Sequence, residues 1–181
     1  MARIPYPNVE DLPEKVRTAA EKLPPLNIMR MFLNAPNNAL PLLSFGLSIL
    51  TKQELDAHLR ELAILRVAHL TGANYEWTQH LPIAKETGVT DEQVEAIPQG
   101  AAAAAFDDLE KRVLRFTDEV TQNVKASQET FQALEKDLGP RQMVEPALAI
   151  GFYGMVARIM ESFEVELEPT AGTYTLDQLR R

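Results

Sequence analysis

The stretch from Arg60 to Thr90, RELAILRVAHLTGANYEWTQHLPIAKETGVT, governs how this chain is read. Leu62, Ile64, Leu65, Val67 and Ala68, together with Leu55 and Leu59 before them, lay a wide apolar stripe at helical spacing. A helix is therefore predicted over Gln53 to Leu70. Thr71-Gly72 stops it, because glycine tolerates the left-handed conformation that closes a helix. A second helix is expected from Asn74 to about Thr87, ended by Gly88. Three ionisable side chains stand out in these two helices: Glu61 on the first, and Glu76 and His80 on the second. The last two lie four residues apart and share a face. The short Thr71-Gly72-Ala73 connection can fold the helices together and bring Glu61 up to that pair.

The flanking sequence is helical on both sides. Pro5, Pro7, Pro24-Pro25, Pro36, Pro41, Pro98, Pro140 and Pro169 fall mainly between periodic segments. Val9 to Leu23 reads as a modest polar helix ended by Pro24-Pro25. Two short apolar segments follow, Asn27 to Asn34 and Asn37 to Leu50, the second weakened by Pro41 and Gly46, with Thr51 free to cap the next helix. Beyond Gly88, Thr90 and Gln93 form a capping-box pattern that opens a short helix to about Ile97. An amphipathic helix is expected from about Asp107 to Asn123, its acidic start suiting the positive helix end. Ser127 caps another to Leu138, and Gly139-Pro140 makes a stop followed by a start.

The last major helix, Pro140 to about Phe163, is apolar around most of its circumference, so it must be buried on more than one side. That leaves two readings open, a subunit interface (a trimer or hexamer) or a central helix enclosed by its own chain. Val165 to Arg181 shows no clear period; wrapping of a neighbour and partial disorder are both open. The expectation is an all-α, single-domain bundle of about seven to eight helices spanning residues 1–181.

Composition closes several functional classes. The chain has no cysteine, which excludes disulfides, thiolate zinc sites and thiol-based catalysis. The net charge is -8 and the 18 Lys and Arg residues are scattered, so the basic footprint that nucleic acid requires is absent. No apolar run reaches the roughly 18 residues that span a bilayer; Ala147 to Met160 is short and carries Arg158. The start, MARIPYPNVED, lacks the apolar stretch of a signal peptide, and a cytoplasmic location is expected.

A carboxylate beside an imidazole favours the charged ring while burial opposes it, a balance suited to general acid or base work at His80. From spacing alone the better reading is a helix-stabilising Glu-His pair around a hydrogen-bonded core histidine. Glu61, Glu76 and His80 offer two oxygens and one nitrogen to a metal, but no further ligand is evident. His58 and His69 lie about 16 Å apart along one helix and cannot share an ion. No metal and no cofactor are assigned.

The stretch resembles the core motif of the carboxymuconolactone decarboxylase and alkylhydroperoxidase D family. There, a helix carrying a glutamate leads through a short turn into a Cys-x-x-Cys-x-x-x-His helix. Glu61 matches that glutamate and His80 that histidine, while Ala73 and Glu76 stand where the peroxidase branch has its cysteines, and Tyr75 where that branch often has a relay histidine. Ile150 to Leu167 resembles the family's C-terminal helix, with Tyr153 and Arg158 at familiar places. The resemblance implies an alkylhydroperoxidase D-like bundle with a family core over about 40–125, a C-terminal helix over about 140–164 and a tail over 165–181. It also implies a homo-oligomer acting on a small molecule without redox thiols. What survives is proton transfer through Glu61, Glu76 and His80, serving decarboxylation or isomerisation of a small lactone or carboxylic acid. Tyr75 and Trp77 are expected to form part of the pocket, and Arg66 or Arg158 to bind a carboxylate. The alternative is a non-catalytic binding or assembly module on the same scaffold.

Overall fold

Two helices at the centre of the molecule carry the quoted stretch, α4 (Ala57–Thr71) and α5 (Asn74–Glu86). The structure is a computed structural model and describes residues 1–179. Helix α4 starts later than its apolar stripe predicts, because Asp56 caps it by accepting the His58 backbone N–H at 2.8 Å. Thr51 does not take that role. It lies inside the preceding helix α3 (Pro36–Lys52), its hydroxyl donating to the Leu47 carbonyl at 2.7 Å. Gly72 closes α4 at φ 68°, as expected, and the chain turns directly into α5.

Helix α4 is covered on both sides. Leu59, Ala63, Ile64 and Val67 join the larger apolar core, whereas Leu62 and Leu65 join a second one. Its polar residues Arg60, Glu61 and Arg66 are thereby buried as well. Buried charges persist only when paired and hydrogen-bonded, so each has a specific partner described below.

N-terminal to α3, the expected helix over Val9 to Leu23 is broken in two. Pro13 lacks an N–H and pushes Leu12 into extended backbone at ψ 152°, leaving a short turn at Val9–Asp11 and then α1 (Glu14–Ala20). Helix α2 (Asn27–Phe32) follows. Helix α3 runs straight through Pro41 and Gly46. Pro41 sits near the helix start and forgoes a single internal bond, and Gly46 admits the Phe152 ring, whose Cζ would lie 2.6 Å from an added Cβ.

After α5 come α6 (Asp91–Ala96), opened by the expected Thr90–Gln93 capping box, and α7 (Asp108–Asn123), opened by a second box between Asp107 and Glu110. Helix α8 (Gln128–Gln142) is capped by Ser127 and breaks at Gly139, where φ is 70°. Helix α9 (Val144–Phe163) packs against α3, α4, α7 and α8, so it is a central helix of its own chain. It still leaves Val144, Leu148 and Met155 exposed along one edge. No strand is present among the described residues, and no single helix there is long and apolar enough to cross a membrane.

The tail folds back over its own chain. Val165, Glu168 and Leu176 are buried, and a last turn, α10 (Leu176–Leu179), ends the described residues. Arg180 and Arg181 lie outside them.

Candidate functional site

Glu61 is fully enclosed, and each of its oxygens has a partner. Oε2 lies 2.9 Å from His80 Nδ1, and Oε1 accepts from Arg60 Nε at 3.0 Å. The carboxylate can only accept, so it orients the imidazole with Nδ1–H towards Glu61 and Nε2 on the opposite side of the ring. Nε2 has no hydrogen-bond partner among the described residues. Arg60, which the sequence reading passed over, supplies the positive charge beside Glu61.

His80 lines a cavity of about 360 Å³. Its walls are apolar side chains of α2, α3 and α9, including Ile28, Phe32, Leu50, Phe152, Val156 and Met160, and its rim includes exposed Ser44 and Leu47. Helix α5 contributes the polar wall: Tyr75, Glu76, Gln79 and His80. No Lys or Arg lines the cavity among the described residues.

Glu76 faces the same space but does not bond His80. It is 2% exposed, and neither carboxyl oxygen has a partner among the described residues. Burial first, and then the negative charge of Glu161, hold its carboxyl well above the ordinary value. Glu76 therefore keeps its proton where most glutamates have lost theirs. Tyr153 of α9 sets its ring against His80, with centroids 4.6 Å apart at 85°. Burial, then the charge of Glu61, push its hydroxyl well above its usual range.

Tyr75 is occupied. Its hydroxyl donates to Glu168 Oε2 at 2.8 Å and accepts the Ile28 N–H at 3.2 Å, and burial pushes it up. Glu168, from the tail, also accepts the Asn27 N–H at 2.9 Å and the Gln79 side-chain amide. One buried carboxylate thereby ties the tail to α2 and α5, and Tyr174 of the same tail reaches the cavity wall.

Three side chains expected at the pocket, Trp77, Arg66 and Arg158, lie elsewhere. Trp77 is about 200° around α5 from Tyr75 and borders a separate hollow of about 310 Å³ beside Gly72, Asn74 and Pro98. Arg66 is locked on the far side of α4, donating to both Asp118 oxygens at 2.6 and 3.1 Å and to the Ile97 and Pro98 carbonyls at 2.7 and 3.0 Å. Gly100 makes room for it; at φ 58° an added Cβ would stand 2.8 Å from the Arg66 guanidinium. Arg158 donates to the Gly154 carbonyl at 2.6 Å and is absent from the cavity wall. Among the described residues no three His, Asp or Glu converge as a metal-binding group; His58 instead pairs with Glu110 at 2.6 Å.

Residues 39–119 match the model of the Carboxymuconolactone decarboxylase family. Over that segment, a little under half of the chain, the sequence is similar to this family. Solved structures share the whole fold. A peroxidase-related protein with an alkylhydroperoxidase AhpD core from Ralstonia eutropha JMP134 superposes with a TM-score of 0.80 at 15% identity, covering 96% of this chain and 97% of that one. A peroxidase-related protein from Silicibacter sp. TM1040 gives 0.78 at 14% identity, covering 94% and 92%. The debrominase Bmp8, as a variant in complex with 2,3,4-tribromopyrrole, gives 0.71 at 20% identity, covering 92% and 90%. No curated protein matches the sequence.

The matched segment contains Arg60, Glu61, Glu76, Gln79 and His80, all within the stretch quoted first. Arg60 and Gln79 were findable there as polar neighbours of Glu61 and His80. Tyr153 and Glu168 come from outside the matched segment, and no local spacing links them to His80.

Proposed function

We propose that the protein is a proton-transfer enzyme acting on a small, electrically neutral, largely apolar molecule, with isomerisation of a lactone as the reading that fits best. One observation carries it: His80 presents an unpaired Nε2 to an apolar cavity while Glu61 holds the other side of the ring. In these roles His80 moves the proton, Glu61 orients and charge-balances the ring, and Glu76 stands by as a neutral acid. Glu61 is a positioning residue, because Arg60 and His80 already occupy both its oxygens.

The cavity wall narrows the substrate. A bound carboxylate needs a cation or several donors, and among the described residues no Lys or Arg lines the space. Decarboxylation of a carboxylic acid is therefore disfavoured relative to chemistry on an uncharged ring. Thiol peroxidase chemistry is excluded, since the chain has no cysteine. The complex of a debrominase of this fold with 2,3,4-tribromopyrrole supports a small-molecule occupant. The full engagement of Glu61 favours one competing reading, a polar knot that only orients helices; the open Nε2 and the hollow beside it favour catalysis.

Calorimetric titration with γ-valerolactone and with its ring-opened form, 4-hydroxypentanoate, tests the substrate class on one carbon skeleton. The lactone should bind at least about tenfold more tightly, a difference of about 1.4 kcal/mol. Equal or tighter binding of the carboxylate would overturn it.

A further inference from the structure

Tyr153 lines the cavity and is only 5% exposed as a residue; its hydroxyl makes no hydrogen bond to the described residues and is not sealed off from the hollow. Buried tyrosine hydroxyls usually find a partner. The neighbouring Tyr75 shows the ordinary case, its hydroxyl being taken by Glu168 and Ile28. The Tyr153 ring is fixed from two sides, edge-to-face against His80 at 4.6 Å and against Phe152 at 5.2 Å and 82°. Its hydroxyl is therefore held at a set position relative to the imidazole.

We propose that Tyr153 is a further catalytic residue, donating a hydrogen bond to the carbonyl oxygen of the bound molecule while His80 moves the proton on the adjacent carbon. This rests on the proton-transfer reading above and narrows the substrate to a compound with an enolisable carbonyl. In the step, Nε2 of His80 takes a proton from the carbon next to the carbonyl. The C–H electron pair forms a new carbon–carbon π bond, and the carbonyl π pair moves onto oxygen. That oxygen accepts the Tyr153 hydrogen bond, and Tyr153 keeps its own proton. Returning the proton from His80 to the far end of a β,γ-unsaturated system gives the conjugated isomer, with no net change in atoms or electrons. Burial beside Glu61 and Glu76 suits Tyr153 to this task, because it keeps the hydroxyl protonated. A preorganised donor in a water-poor site gives larger stabilisation than the same bond in water.

The test uses γ-valerolactone carrying a 13C carbonyl, which binds without isomerising, and α-angelica lactone, which can isomerise. Infrared difference spectra of bound γ-valerolactone should show the carbonyl band at lower wavenumber than in hexane for the wild type and for His80→Gln. In Tyr153→Phe it should return to the hexane value. Isomerisation of α-angelica lactone should fall on the order of 10²–10³-fold in Tyr153→Phe, mainly in kcat. A displaced band that survives Tyr153→Phe, or no displaced band in the wild type, overturns the assignment of the donor. A band lost in Tyr153→Phe without any wild-type isomerisation overturns the proton-transfer reading, and with it the catalytic role, while the hydrogen bond to Tyr153 stands.

Discussion

Glu76 is a carboxyl group with no partner among the described residues, set in the polar wall of an otherwise apolar cavity. Its folded-state pKa is raised by burial and then by Glu161, so the folded chain holds a proton that the unfolded chain releases above about 4.5. The folded state binds more protons across that window, and stability falls as pH rises through it, by at most about 1.4 kcal/mol per pH unit. Glu76→Gln removes this dependence. Urea unfolding of the two proteins should give similar stabilities near pH 4.5 and a growing advantage for Glu76→Gln towards pH 8; parallel profiles would contradict the neutral state of Glu76. Glu61, Glu76 and His80 were legible in the sequence because ionisable groups on apolar helices stand out. Trp77 and Arg66 were misplaced for a related reason. Helix α4 is apolar on two sides and α5 is short, so spacing alone did not say which side faces the hollow.

Among the elements, the tail is the one the sequence could not place. Its residues follow no period, because a strap needs only a few anchoring contacts, and Glu168 is the anchor. Glu168→Ala leaves the Asn27 N–H, the Tyr75 hydroxyl and the Gln79 amide without their acceptor, and each buried polar group left unpaired costs about 1–3 kcal/mol. A loss of at least about 2 kcal/mol in denaturant unfolding is expected. Lys85→Ala, which breaks an exposed ion pair with Asp91, should change stability by less than about 1 kcal/mol. Equal effects from the two would show that the tail contributes little. Elsewhere, local chemistry settled the elements well: Gly72, the Thr90–Gln93 box, Ser127 and Gly139 all act where expected. Pro13 and Asp56 moved two helix starts by ordinary steric and capping preferences that the apolar pattern had overridden.

For the whole molecule, the all-helical class was legible because one apolar stripe follows another with turn residues between them. The cavity was not. Its walls come from residues as far apart as Leu23 and Tyr174, and a hollow made by five separate segments leaves no signature in any of them. Its mostly apolar lining, without a cation among the described residues, favours a neutral ring over a carboxylic acid as the proposed occupant. Proton transfer through His80 is the role proposed for this hollow. Incubating α-angelica lactone in deuterium oxide with wild type and with His80→Gln, and following deuterium entry into the ring by proton NMR, tests it most directly. Enzyme-dependent incorporation is expected, lowered on the order of 10²–10⁴-fold in His80→Gln while the thermal midpoint stays nearly unchanged. Equal incorporation by the two proteins, or none above the buffer rate by the wild type, would contradict it.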